Sequence, residues 1–149
     1  MRTASPEAMA IVKSTAPALE KHGVEITTAM YKRLFKNKEV EEMFDKAAQE
    51  SGKQPRRLAA AVLAYAKNID HLENLTAAVE RMVSRHCDTQ VKAEHYPYVA
   101  EALLPAIREV LRADVATDEV LGARGEAYWM LADILIDAEA KEYERRAAA

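Results

Sequence analysis

Four histidines occur in this 149-residue chain, and His86 stands out because it falls four residues after Met82 on the apolar stripe of a short segment. An imidazole in that setting has two readings. It is a core histidine with its ring nitrogens satisfied, or it faces an apolar slot and offers one nitrogen to a haem iron. Haem b needs only one protein nitrogen on one face and an apolar pocket for the porphyrin. Tyr31 lies on an inward stripe, and a buried phenol seeks a hydrogen-bond partner. That partner is a backbone carbonyl in the core reading and an iron-bound oxygen atom in the haem reading. Phe44 is either a core aromatic or a ring packed flat on a porphyrin. Gln54 is either a solvated helix-start residue or a second polar group over the iron.

Tyr96 and Glu139 form a second group. Glu139 falls four residues after Leu135 and eleven after Tyr128, close to the apolar face of the last predicted helix. A carboxylate there is costly unless hydrogen-bonded or charge-paired. It is either a partly exposed Glu spaced i, i+4 from Tyr143, or the acceptor of the His86 imidazole N–H, assisted by Tyr96. The second arrangement raises the basicity of the imidazole. On a haem iron, that extra electron density favours activation of O2 over storage. Tyr128, on the same helix, is a further candidate for contact with the cofactor. Other chemistries find no support: the chain has no E-x-x-H, H-E-x-x-H, Walker A or G-x-G-x-x-G. With no CxxCH, any haem is held non-covalently. Cys87 beside His86 is a single thiol, more often inert than reactive when buried.

The elements that must position these residues read as helices. Ser5-Pro6 is an N-cap followed by proline at the first helical position, opening a helix expected to end by His22-Gly23. A second runs from about Val24 to Lys36. Val40, Met43 and Phe44 mark a short helical turn. Asp45 to Lys53 reads as a loop, and Gln54-Pro55 opens the next helix, whose stripe is Leu58, Val62, Tyr65 and Ile69. Asp70 to Asn74 break it. Leu75, Val79 and Met82 lead to His86, and Cys87 to Glu94 is a polar gap. From His95 to about Arg112 the stripe is Tyr96, Val99, Leu103, Ile107 and Val110. Thr117 caps a last helix reaching Arg145, with Asp118 and Glu119 in its first turn. Pro55 biases Gln54 away from helical backbone values.

Composition agrees with an all-α chain: 29 Ala, 4 Gly and 5 Pro favour helices over hairpins. One domain, residues 1–149, accounts for the length. Six or seven unequal helices fit a globin-like arrangement better than an up-down bundle. A net charge of −3 with interleaved signs gives no nucleic-acid footprint. No apolar run is long enough to span a bilayer. One cysteine excludes an internal disulfide, and a cytoplasmic location is the default.

In order and spacing, the segments IVKSTAPALEKHG, MYKRLF, EEMFD, QESGKQPRRL, AYAKNIDHLENL, RHC, HYPYVAEALLPAIREVL and EAYWMLADILIDAEAKEY carry a family likeness. The chain resembles bacterial haemoglobins of the flavohaemoglobin family, including single-domain members of the Vitreoscilla type, from about Ala10 to Tyr143. The resemblance implies a globin fold holding haem b (iron protoporphyrin IX), with His86 as the proximal iron ligand and Tyr31 as donor to bound O2. It implies Phe44 packed on haem, Gln54 and Leu58 in the distal pocket, Arg85 near a propionate, and Tyr96 and Glu139 as the proximal hydrogen-bond relay. Relatives include homodimers, and many have tryptophan where this chain has Arg124 and a small residue where it has Trp129. The chain stops just after the globin part, so electrons are expected from a separate flavin or NAD(P)H reductase. Two activities follow from that resemblance: conversion of NO to nitrate with bound O2, or O2 carriage to a terminal oxidase. A haem-free helical interaction domain would share the fold but would have no need of the set Tyr31, Phe44, His86, Tyr96 and Glu139.

Overall fold

A computed structural model describes residues 1–44 and 52–148. Among these, seven α-helices and two 3-10 turns occur and no strand. Helix α1 (Pro6–Ser14) begins as the sequence suggests: the Ser5 side chain accepts from the Ala8 N–H at 3.1 Å, and Pro6 takes the first position. The helix does not continue to Gly23. It stops at Thr15, whose hydroxyl donates to the Ile11 carbonyl at 2.8 Å, and α2 (Ala16–Leu34) follows at once with Pro17 in its first turn. Gly23 is thus not a terminus. It is buried inside α2, where an added Cβ would lie 3.3 Å from Ala59 Cβ. The glycine lets a neighbouring helix approach closely.

Helix α3 (Lys38–Glu41) is capped by the Asn37 side chain, which accepts from the N–H groups of Glu39 and Val40. Most of the expected loop, Asp45 to Ser51, lies outside the described residues. Gly52, with φ 76°, precedes α4 (Lys53–Lys67), the helix that meets Gly23. Gln54 is helical, against the bias Pro55 imposes. Pro55 sits in the first turn, where its missing N–H would have had no intrahelical acceptor anyway. A 3-10 turn (Leu72–Leu75) leads to α5 (Thr76–Asp88), which runs past Cys87 and so shortens the expected gap. A second 3-10 turn (Ala93–His95) leads to α6 (Tyr96–Val115). The last helix, α7 (Asp118–Ala148), extends beyond Arg145. Arg146 holds it to α5 through Asp88, at 2.9 Å.

Helix α2 packs against α4 and α6, while α7 packs against α1, α5 and α6. Ile26, Met30, Ile69 and Val12 are fully buried at these junctions. Each such side chain contributes roughly 1.5–3 kcal/mol. Helix α5 is different. It rests on α7 and the Leu72–Leu75 turn, and makes little contact with α4 or with the body of α6. We call the space between α5 and helices α4 and α6 the slot; beside the main core stand two smaller hydrophobic clusters, one around Met30, Tyr31 and Val40, the other around Val83, Tyr96 and Leu135.

Candidate haem site

On the α5 side, Val83 and Cys87 are buried against Ala132 and Leu135 of α7. Glu139 continues that α7 stripe at the next turn and is only 3% exposed. Its two oxygens are both engaged. One accepts from His86 Nδ1–H at 2.7 Å, the other from the Tyr96 hydroxyl at 2.7 Å. The Tyr96 oxygen also lies 3.2 Å from His86 Nδ1. A carboxylate accepts only, so Nδ1 carries the proton and Nε2 holds the free lone pair. Nε2 has no partner among the described residues. Burial and the adjoining Glu139 push the Tyr96 phenol far up, so it stays a donor. The i, i+4 alternative does not form: Tyr143 donates to the Val91 carbonyl at 2.6 Å.

Tyr128 does not stand alone beside the slot. Its hydroxyl donates to the Tyr96 carbonyl at 2.6 Å, which fixes the start of α6 from behind. Arg85 is exposed one residue before His86, with no acidic partner among the described residues.

Across the slot, Tyr31 is buried on α2 within a ring of aromatics. Phe44 meets it edge-on at 5.4 Å between centroids, and Phe35 is tilted at 5.5 Å. Burial raises the Tyr31 phenol, while a side-chain hydrogen bond with Gln54 pulls it the other way. Gln54 is half-buried in the first turn of α4. Leu58 of α4 and Val99 and Leu103 of α6 are half-buried against the same cluster. The expected site residues thus fall into two groups: His86, Tyr96, Glu139 and Tyr128 on one side, and Tyr31, Gln54, Phe44 and Leu58 on the other.

The residues present fit a haem. Among the described residues the buried carboxylate has no Lys or Arg to pair with and instead orients one imidazole N–H, leaving the opposite nitrogen without a partner there, as in carboxylate–histidine–metal arrangements. Half-buried apolar side chains are present on both sides: Leu58, Val99 and Leu103 pack on the Tyr31 cluster, and Val79 and Met82 on the Val83 cluster.

Two features escaped the sequence. Arg124 is buried, with its terminal nitrogen 2.6 Å from the Thr15 hydroxyl oxygen and 3.1 Å from the Thr15 carbonyl oxygen, while its Nε has no partner among the described residues. Trp129 lies under Arg2 at the N-terminus. Both contacts join segments more than a hundred residues apart, and only the local patterns on α7 could have hinted at them.

The Globin family model matches residues 27–135. A flavohemoprotein of Xylella fastidiosa is 50% identical over 136 residues, covering 91% of this chain and 34% of that protein. The chain spans about a third of the length of the curated relatives it matches. An engineered carbene transferase, built on a candidate nitric oxide dioxygenase from Rhodothermus marinus, superimposes with a TM-score of 0.91. It is 42% identical, covering 97% of this chain and 99% of that one. A flavohemoglobin from Malassezia yamatoensis, solved with bound FAD and heme, has a TM-score of 0.86 and 27% identity, covering 94% of this chain and 37% of its own. The chain belongs to the globin family and aligns with the globin part of flavohemoproteins.

Proposed function

We propose that this globin binds haem b through His86, takes up O2 under Tyr31, and converts NO to nitrate with electrons from a separate flavin reductase. The observation that carries the reading is the buried Glu139 carboxylate, which holds His86 Nδ1–H and the Tyr96 hydroxyl at 2.7 Å each. A storage globin does not need that cost, whereas an electron-rich imidazole favours O2 activation. The heme-bearing Malassezia flavohemoglobin and the Rhodothermus protein support the reading by likeness.

When bound, haem iron supplies coordination of dioxygen and the redox step by which NO becomes nitrate. His86 offers Nε2, with the ring plane fixed by Glu139 and Tyr96. Glu139 draws on the Nδ1 proton and gives the imidazole anionic character. Tyr31 stays protonated because burial raises its phenol, so its hydroxyl remains a donor for a bound ligand. Phe35, Phe44 and Leu58 keep water from that hydroxyl, which strengthens any hydrogen bond it donates. Arg85 is free to meet a propionate.

The test is steady-state NO consumption by the haem-loaded protein in air, with NADH and a generic flavin reductase. Many NO molecules removed per haem support the dioxygenase. One turnover followed by stalled ferric haem, with reductase shown to reach the iron, supports O2 carriage.

A further inference from the structure

Residues 2–5 lie as a strap along one face of α7. The Arg2 backbone N–H donates to Asp133 at 2.7 Å, and its guanidinium forks onto both carboxylate oxygens at 3.0 and 2.7 Å. The Ala4 N–H meets Met130 Sδ at 3.3 Å, and the Ser5 N–H donates to Glu126 at 3.1 Å. Positions 126, 130 and 133 share one helix face at i, i+4, i+7. The Arg2 guanidinium also sits 4.0 Å from the centroid of the Trp129 ring, inside the range of cation–π attraction.

From Trp129 the contacts continue inward. Trp129 meets Tyr128 edge to face, with centroids 5.1 Å apart and planes at 89°. Tyr128 donates to the Tyr96 carbonyl, and Tyr96 donates to Glu139, which holds His86. An exposed ion pair alone contributes little. Here three bonds converge on one carboxylate, and the fork sets the plane of a guanidinium lying on an indole. That indole lies edge to face on the Tyr128 ring; Tyr128 also donates to the Tyr96 backbone carbonyl and packs on the cluster around Val83, Tyr96 and Leu135.

We infer that Arg2 is a positioning residue for the His86–Glu139–Tyr96 relay, acting through Trp129 and Tyr128. The spectroscopic part of its test rests on the reading of His86 as iron ligand; the haem-free part does not.

The whole chain is compared as parent, Arg2→Ala, Arg2→Lys, Trp129→Ala and the double alanine variant. In haem-free protein, NMR follows the ring protons of Tyr96 and Tyr128. In ferrous haem-loaded protein, resonance Raman follows the iron–histidine stretch. Arg2→Ala is expected to move both tyrosine signals and to shift the stretch to lower frequency, because a loosened relay withdraws anionic character from the imidazole. Arg2→Lys keeps the charge without the fork and restores part of the shift. The double variant shifts no further than Trp129→Ala alone, since both act on one path. If Arg2→Ala lowers only the urea midpoint and leaves signals and stretch at their parent values, the inference is overturned. If the parent shows no iron–histidine stretch, the ligand reading fails, and the tyrosine signals of haem-free protein still decide whether Arg2 positions the relay.

Discussion

Replacing Glu139 separates what its carboxylate does for the fold from what it does for His86. Burying a carboxylate costs several kcal/mol even after relaxation. Two charge-assisted bonds at 2.7 Å offset this, at about 1.5–3 kcal/mol each. The two contributions nearly cancel. Glu139→Gln keeps the shape, loses the charge and weakens both bonds, so the unfolding free energy of haem-free protein is expected to change by less than about 2 kcal/mol. Glu139→Ala strands the buried Tyr96 hydroxyl and the half-buried His86 Nδ1–H and opens a void. The expected loss is about 3–5 kcal/mol. Urea unfolding measures both. In the haem-loaded ferrous protein, both variants should lower the iron–histidine stretch, because neither offers an anion to Nδ1–H. The reasoning fails if Gln destabilises as much as Ala, or if the stretch keeps its parent frequency in both.

Tyr31→Phe removes the hydroxyl proposed to donate to bound dioxygen. A bond to a polarised ligand is worth about 1.5–3 kcal/mol, so dioxygen should dissociate roughly 10- to 100-fold faster in stopped flow. Arg124 is held down to about 10 by burial, and among the described residues it has no acidic partner. Arg124→Met should therefore raise stability by about 1–2 kcal/mol in urea, despite losing the contact with Thr15. Glu142 is drawn down to about 2 by Arg145 and Arg146, and Asp133 to about 2 by Arg2. Their folded values lie below their unfolded ones. The stability they lend is present above the ordinary carboxylate range and lost as pH falls toward about 2. Asp133→Asn should flatten part of that acid loss in urea midpoints taken at several pH values, and added salt should shrink the difference.

Short-range pattern placed some of the site residues, while the roles proposed for them came from the family resemblance. His86 follows Met82 by one helical turn, and Glu139 follows Leu135 by another, so period put both on or close to apolar faces and left a partly exposed Glu139 open. The same logic misplaced the first helix boundary. Gly23 looks like a C-cap, yet it serves a helix crossing with Ala59, a contact no local pattern reveals. Pro55 biased Gln54 out of the helix on local grounds. The first turn tolerates proline, and Gln54 is helical. Arg2 on Trp129 and Arg124 on Thr15 were illegible for one reason: each joins distant segments through side chains whose local context reads as ordinary surface.

The account turns on His86 as the residue that binds haem iron. Titrating hemin into the haem-free parent and into His86→Ala, while following the Soret band and the quenching of the single tryptophan, tests this most directly. The parent should saturate at one hemin per chain and, once reduced, show the spectrum of a histidine-ligated ferrous haem. His86→Ala should lack that spectrum. Binding in the parent that does not saturate, or matching ferrous spectra for parent and variant, would contradict the account.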